Sequence, residues 1–256
     1  MNNSDISKQL NQRIGIKINF SHFAAIGSTN QYAKQLSQTQ VLQNPCVIWA
    51  DQQTAGVGKF ERAFYSPAGG GLYVTLLLPQ FKIESQQVGL FTTSLAMAIV
   101  QAIKDCFDIT VDVKWVNDIY HHERKIAGIL VEQGTHHSII VGVGINLFQQ
   151  TFPPEISTIA GNLLTSAPSL ADRQRFFIVL IDYLYNASLT YTNAKFLSDY
   201  KRRLTLMNRR IQVQLGRSLI TGKAVDINDL GQLIILDDAT SERRVIPAGE
   251  VTKIFS

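Results

Sequence analysis

Residues 114–132 read Lys-Trp-Val-Asn-Asp-Ile-Tyr-His-His-Glu-Arg-Lys-Ile-Ala-Gly-Ile-Leu-Val-Glu, and the rest of the chain is organised around this stretch. Apolar runs at 111–115 and 126–131 flank a polar turn, a pattern that predicts two buried strands. Lys114, at the end of the first strand, would supply a fixed positive charge to which a phosphate or carboxylate can bind. The Asn-Asp pair at 117–118 offers oxygen ligands of the kind that Mg²⁺ prefers. The stretch suits an anionic ligand, although taken alone it is explained more simply by a solvated lysine and an ordinary turn.

A second polar cluster opens the helix that follows a predicted first strand at 18–26. Ser28 and Gln31 have the S-x-x-Q spacing of a capping box, so Ser28 is expected to be the N-cap. A helix N-terminus with unpaired N–H groups is also suited to hold the polar head of a small ligand. Residues 1–19 are polar, so we expect a frayed or peripheral lead-in that is too short for a helix-turn-helix.

A glycine-containing loop lies at 51–67, Asp-Gln-Gln-Thr-Ala-Gly-Val-Gly-Lys-Phe-Glu-Arg-Ala-Phe-Tyr-Ser-Pro. Gly56 and Gly58, followed by Lys59, would let backbone N–H groups and cations close over an anion. The loop is not a Walker P-loop, because Gln53 stands where that motif requires its first glycine. By itself, Gly-x-Gly-Lys also fits a plain flexible loop.

The remaining patterns predict a mixed α+β unit followed by a small β-barrel. Apolar runs predict strands at 46–50, 72–78 and 138–147, and helical periodicity predicts helices from about 84, from 169 and over 194–206. From Asn208 the pattern changes to short alternating strands separated by turns. We therefore expect a domain boundary near Met207, with helices on one side of the first sheet.

Composition limits the other classes of function. The net charge of +4 is mild and does not indicate nucleic acid, and the two cysteines, Cys46 and Cys106, lack the spacing of a zinc site or disulfide framework. The pairs His121-His122 and His136-His137 are expected to lie in turns rather than to bind metal. With no signal sequence and no apolar run of membrane-spanning length, the protein is expected to be cytoplasmic.

Four motifs together resemble the biotin–protein ligases. Lys-Trp-x-Asn-Asp at 114–118, followed by Lys-x-Ala-Gly-Ile-Leu-x-Glu at 125–132, is similar to the central signature of that family. Ser-Thr-Asn at 28–30 and Gly-x-Gly-Ile-Asn at 142–146 are similar to further family motifs. Loop 51–67 resembles the family's adenylate-binding loop incompletely. Its matching residues are Gln53, Gly56, Gly58 and Arg62, whereas Val57, Lys59, Glu61 and Phe64 replace the family's Arg, Arg, Gly and Trp.

The resemblance implies a fold and an activity for the chain from Phe20 onward. The implied fold is α+β, with a mixed-sheet catalytic domain of the biotin/lipoate ligase type at 20–207 and an SH3-like barrel at 208–256. The implied activity is that of a monofunctional biotin–(acetyl-CoA-carboxylase) ligase, which uses ATP to make biotinyl-5′-AMP and transfers biotin to a lysine of a biotin carboxyl carrier protein domain. No direct DNA binding and no membrane partner are expected, and a homodimer is left open.

The resemblance also implies roles for individual residues. Lys114 is implied as the catalytic cation, and Asp118 could help to place Mg²⁺. The residues implied to bind biotin are Ser28, Thr29, Asn30, Gln53, Gly56, Gly58, Lys114, Gly128, Gly142 and Gly144, and those implied to bind ATP or the adenylate are Val57, Lys59, Arg62, Asn117 and Asn146. Two alternatives remain: a lipoate or octanoate ligase, and a catalytically weakened biotin sensor, which the altered loop would favour.

Overall fold

The computed structural model describes residues 3–255 and contains two β-sheets. The first sheet has seven strands in the order β1-β2-β3-β7-β6-β5-β4; β1 and β2 are parallel and the other neighbours are antiparallel. The predicted mixed sheet is therefore confirmed. Its strands are β1 (Asn19–Phe23), β2 (Cys46–Ala50), β3 (Gly71–Leu78), β4 (Asp112–Lys114), β5 (Asp118–His121), β6 (Arg124–Gln133) and β7 (Ile139–Asn146).

Helices cover both faces of this sheet, contrary to the expectation of helices on one side. The helices are α1 (Asn3–Ile14), α2 (Thr29–Thr39), α3 (Val88–Phe107), α4 (Leu170–Thr190) and α5 (Leu197–Arg203). Strand β2 alternates its apolar side chains between two cores: Val47 and Trp49 join the large core with α3 and α4, whereas Ile48 packs with Ala33 of α2. The unbroken apolar run of β2 agrees with burial of both of its faces, but it does not show which helix covers each face.

The N-terminal lead-in is a packed helix, so the expectation of a frayed segment is wrong. Ile6 and Leu10 of α1 lie four residues apart on one face and are 2% and 0% exposed. Both belong to the large core, and α1 packs against α4. Because the residues around these two side chains are polar, the sequence pattern did not reveal the apolar stripe of the helix.

Helix α3 is the central core helix. With the preceding 3₁₀ turn it forms a 23-residue segment, Ser85–Phe107, whose length and composition would suffice to cross a membrane. However, 67% of its most apolar window is buried inside the protein, as in the core helix of a folded domain.

The second sheet forms the C-terminal part of the molecule and confirms the predicted SH3-like unit. Its order is β11-β10-β9-β8-β12, antiparallel throughout, with β8 (Arg210–Leu215), β9 (Ser218–Ile227), β10 (Leu233–Asp237), β11 (Arg243–Ile246) and β12 (Glu250–Ile254). The turn at Gly231 packs on the start of α3, and its carbonyl accepts a 3.0 Å hydrogen bond from Trp115 Nε1. This contact holds the C-terminal sheet beside the Lys-Trp-Val-Asn-Asp stretch.

Candidate active site

A buried polar network lies at the N-terminus of α2. Ser28 caps the helix, as predicted, by accepting a hydrogen bond from Gln31 N. Gln53 Oε1 accepts from the backbone N and the hydroxyl of Thr29, at 2.9 and 3.0 Å. Asn30 Nδ2 donates to Glu132 Oε2 at 2.8 Å. Because these side chains are held by several partners while buried, their remaining polar atoms present a fixed pattern to a ligand.

Glycines of β6 and β7 form the floor beside this network. Gly128 and Gly144 are paired across the two strands. A Cβ atom at Gly142 would lie 2.2 Å from Asn30 Oδ1, and one at Gly144 would lie 2.5 Å from the Phe64 ring. The absence of side chains thus makes room for Asn30 and Phe64 at the edge of an opening.

This opening is the inner cavity, with a volume of about 50 Å³. It contains nearly all of the residues that the resemblance implied for biotin. Its lining is Ser28, Thr29, Asn30, Gln53, Val57, Gly58, Lys59, Phe64, Val74, Asn117, Lys125, Gly128, Ile129, Leu130, Gly142, Val143 and Gly144.

A larger outer cavity of about 290 Å³ adjoins the inner cavity and is rich in cations. Its polar lining includes four cationic side chains, two carboxylates and two amides: Lys59, Arg62, Lys114, Lys125, Asp118, Glu250, Asn117 and Asn146. Apolar residues of the loop, such as Phe60, and of the segment 152–160 complete it. The two cavities share Gly58, Lys59, Phe64, Asn117 and Lys125, so ligands in them would meet at these residues.

The cations of the outer cavity are partly desolvated. Burial lowers the pKa of Lys114 and Lys59 below the ordinary value of 10.5, an effect that Asp118 and Glu250 partly offset. Lys125, paired with Asp118 at 2.7 Å, adds to the positive charge that lowers both pKa values. A bound anion would relieve this repulsion.

The hairpin of β5 and β6 positions the Asn-Asp pair. Lys114 and Asp118 are neighbours across β4 and β5. Asn117 exchanges two hydrogen bonds with Ile129 of β6, from Ile129 N to Asn117 O at 3.0 Å and from Asn117 Nδ2 to Ile129 O at 2.9 Å. Asn117 is thereby fixed at the junction of the two cavities.

The glycine-containing loop contacts the C-terminal sheet. Lys59 Nζ donates to the Gly249 carbonyl at 2.8 Å, and Arg62 forms a two-point ion pair with Glu250. Phe60 and Glu61 have φ values of 59° and 58°, in the left-handed region that favours glycine. Glu61, which stands where the resembled family has glycine, therefore occupies a strained position.

Three predicted residues lie elsewhere than expected. Gly56 is not among the described residues that line either cavity; a Cβ there would lie 2.5 Å from the Phe64 carbonyl oxygen, which explains the glycine. Val57, expected on the nucleotide side, lines the inner cavity. Lys114, expected to bind biotin as well as to catalyse, lines the outer cavity.

Sequence reasoning missed Lys125, Phe64 and Glu250 as site residues. Lys125 is part of the Lys-x-Ala-Gly-Ile-Leu-x-Glu motif, so its signal was present. Phe64 was recorded only as a replacement in the loop, yet it lines both cavities. Glu250 lies 188 residues from its partner Arg62, and no local pattern could have revealed that pairing.

Carboxylates are the side chains of this site that could contact a magnesium ion. Within residues 3–255, no group of three or more His, Cys, Asp or Glu side chains could hold a metal ion. The outer cavity offers the Asp118 and Glu250 carboxylates, each of which is already paired with a cation. Carboxylate oxygens are ligands of the kind that Mg²⁺ takes, so Asp118 and Glu250 are the residues of the outer cavity that fit such an ion.

Two adjoining cavities, one lined by a fixed polar network and one by cations, define a site for joining a small ligand to an anion. Comparison with known proteins specifies the family. The sequence profile of the biotin/lipoate A/B protein ligase family matches residues 22–146, and that of the biotin protein ligase C-terminal domain matches residues 206–253. The chain belongs to this family.

Individual relatives agree with this assignment. The bifunctional ligase/repressor BirA of Bacillus subtilis is 32% identical over 221 residues, which cover 82% of this chain and 67% of the relative. The biotin–(acetyl-CoA-carboxylase) ligase of Mycobacterium tuberculosis is 27% identical over 239 residues, covering 90% and 87%. The structure of the biotin protein ligase from Aquifex aeolicus in complex with biotin and ATP matches with a TM-score of 0.78 and 26% identity, covering 91% of this chain and 97% of that one.

Proposed function

We propose that this chain is a biotin–protein ligase that makes biotinyl-5′-AMP from biotin and ATP and transfers biotin to a lysine of a biotin carboxyl carrier protein domain. The observation that carries the proposal is the junction of the inner and outer cavities at Lys59, Asn117 and Lys125. An acid in the inner cavity and a nucleotide in the outer cavity would place carboxylate and α-phosphate side by side. Members of the family that this chain resembles activate biotin in this way.

The inner cavity is assigned to biotin. The ureido ring has N–H donors and a carbonyl acceptor, which match the hydroxyl and amide groups of Ser28, Thr29 and Asn30. The glycine floor at Gly128, Gly142 and Gly144 leaves space for the fused rings. The carboxylate would then point toward Lys59 and Lys125 at the junction.

The outer cavity is assigned to ATP. Lys114, Lys59 and Arg62 would neutralise the charge that develops when the carboxylate oxygen attacks the α-phosphorus and pyrophosphate leaves. Asn117 and Asn146 would hold the nucleotide by hydrogen bonds. Mg²⁺ bound with ATP would add further charge neutralisation, with Asp118 as its protein ligand.

The loop is assigned to closure over the adenylate. Biotinyl-5′-AMP is a mixed anhydride that water hydrolyses, so the site must exclude water between its two steps. Loop 56–62, anchored to the C-terminal sheet through Lys59 and Arg62, would form the cover. The boundary between residues 207 and 208 would then separate a catalytic unit from a C-terminal unit that holds loop 56–62 of the catalytic unit in place.

The cellular setting is also a proposal. A cytoplasmic location agrees with two free cysteines, Cys46 and Cys106. The partner would be the carrier domain of a biotin-dependent carboxylase, without direct contact with DNA. Sedimentation velocity of the unmodified chain would show whether it forms a homodimer through an edge of the seven-stranded sheet.

Biotin-dependent exchange of pyrophosphate into ATP tests the first half-reaction without an acceptor protein. We expect exchange with biotin that is lost in Lys114→Ala, and no comparable exchange with lipoate or octanoate. Exchange that is faster with lipoate or octanoate would identify the chain as a lipoate or octanoate ligase. Biotin binding without any exchange would make the chain a biotin sensor.

A further inference from the structure

A third cavity, the side cavity, opens between the catalytic unit and the C-terminal sheet. Its volume is about 390 Å³, and its walls are largely apolar, with Val88 at the start of α3, Val131 of β6 and Pro247 of the C-terminal unit. The side cavity reaches Lys59 and Asn117, which also line the inner and outer cavities. All three cavities therefore meet at one point.

One wall of the side cavity is an open strand edge. Strand β5 pairs with β6 only as far as Gly128. Beyond Gly128, the backbone N–H and C=O of Ile129 both bond to Asn117. Backbone groups that face the same edge of a strand recur every second residue, so the N–H and C=O of Val131 face this edge too. Among the strands that the structure describes, β6 has only β7 as a neighbour at Val131. An extended chain could pair with this edge.

We propose that the side cavity is the route of the acceptor lysine: an extended segment of the carrier protein pairs with the open edge of β6, and its lysine side chain passes through the side cavity to the junction at Lys59 and Asn117. This inference rests on the proposed ligase function and specifies where its second substrate enters.

The chemistry of the second step explains why this route is needed. Once the adenylate has formed, its acyl part fills the inner cavity and its nucleotide part fills the outer cavity. The neutral amine nitrogen must then attack the acyl carbon; the new C–N bond forms, the C–O bond to phosphate breaks, AMP leaves with the electron pair, and the amine proton passes to solvent. A third approach to the same carbon is therefore required, and the side cavity supplies it.

The walls suit a lysine better than another ligand. Four methylene groups of the lysine stem would lie against Val88 and Val131, and burying them there is favourable. At the inner end the positive charge of Lys59 disfavours a protonated amine and so favours the neutral, nucleophilic form. A phosphate or carboxylate ligand would find little positive charge along these walls.

The test narrows the side cavity without touching the junction. Val88 is 43% exposed, so Val88→Trp can fill the cavity without opening the core, and Gln86→Trp does so from another exposed position. Val245→Trp, at a 48% exposed valine of the C-terminal sheet, is the matched control. Pyrophosphate exchange measures activation, and transfer to a purified biotin carboxyl carrier domain measures the second step.

We expect exchange within about twofold of the unmodified chain in all variants, with kcat/KM for the carrier domain at least about tenfold lower in Val88→Trp and Gln86→Trp only. Preformed adenylate should still react with hydroxylamine, whose small size needs no wide route. If Val88→Trp unfolds, Gln86→Trp decides the question.

Unchanged transfer in the cavity variants would overturn the proposal. A loss of pyrophosphate exchange as large as the loss of transfer would also overturn it, because it would assign the side cavity to activation. A sedimentation coefficient that differs between the unmodified chain and the cavity variants, measured without the carrier domain, would also overturn the proposal. It would show that a second copy of the chain occupies the side cavity. Failure of the ligase function itself is distinguished by the absence of exchange in the unmodified chain.

Discussion

Arg62 of the glycine-containing loop and Glu250 of the C-terminal sheet form a two-point ion pair, with Nη2 of the arginine 2.9 Å from Oε2 of the glutamate. Hydrogen bonding to Glu250 is the main cause that raises the pKa of Arg62 above its ordinary value. The pair connects the glycine-containing loop to the C-terminal sheet. Because both side chains line the outer cavity, it also positions a cation next to the proposed nucleotide.

Replacing Glu250 should weaken the binding of ATP. Glu250→Gln keeps the shape of the side chain but releases Arg62, and a partly exposed ion pair contributes up to about 1 kcal/mol. We expect the KM for ATP to rise about fivefold, with the affinity for biotin unchanged. Glu242→Gln, at an exposed glutamate of the same unit, should have no effect. An unaltered KM for ATP in Glu250→Gln would mean that the pair does not position Arg62.

A methyl group at Gly142 should disrupt the inner cavity. Its Cβ would lie 2.2 Å from Asn30 Oδ1, so Asn30 must move and lose a hydrogen bond while buried, at a cost of about 1–3 kcal/mol. We expect the Kd for biotin, measured by calorimetry, to rise about tenfold or more in Gly142→Ala. Gly27→Ala is the control, because a Cβ at Gly27 meets no atom within 4 Å. Equal biotin affinity in both variants would contradict the assignment of the inner cavity.

The pH dependence of activation should reveal the partly buried Lys114. The pKa of Lys114 lies below 10.5, so its charge is lost at a lower pH than that of an exposed lysine. We expect kcat/KM for ATP in the exchange reaction to fall on the alkaline side, at a pH below 10.5. Arginine stays charged throughout this range, so Lys114→Arg should move the fall to higher pH if it retains activity. Lys253→Arg should leave the profile unchanged. An unshifted profile in an active Lys114→Arg would assign the alkaline fall to another group.

Shortening a buried side chain of the N-terminal helix α1 should destabilise the whole protein. Leu10 is 0% exposed and belongs to the large core. Leu10→Ala should lower the free energy of unfolding by about 2–5 kcal/mol in urea denaturation. Lys8→Ala, on the exposed face of α1, should change it little. A loss below about 0.5 kcal/mol in Leu10→Ala would show that α1 is peripheral, as its composition suggested.

Features that depend on near neighbours in the chain could be predicted. The N-cap at Ser28 is an interaction across three residues, and the bounds of β2 at 46–50 follow from an unbroken apolar run. The helix predicted from residue 169 begins there, and the Ser169 hydroxyl caps it by accepting from Asp172 N. The motif residues around 114–132 could be predicted for the same reason, since they lie on the consecutive strands β4, β5 and β6 and in the turns between them.

Features that depend on packing across the sheet could not be predicted in this way. Strand β2 is apolar on both faces, so only the fold shows that α2 covers one face and α4 the other. The left-handed conformation of Glu61 is likewise imposed by its loop, against the preference of its residue type.

Local periodicity and local hydrogen bonds were enough to predict most strands and helices, the cap at Ser28 and the motifs that carry the family resemblance, although helix α1 was not among them. The tertiary structure alone decided which residues meet. It placed Lys59 at the junction of three cavities and brought Glu250 to Arg62 over a separation of 188 residues. The physical reason is that convergence of distant side chains follows from the burial of two sheets around a shared core, which no short segment encodes.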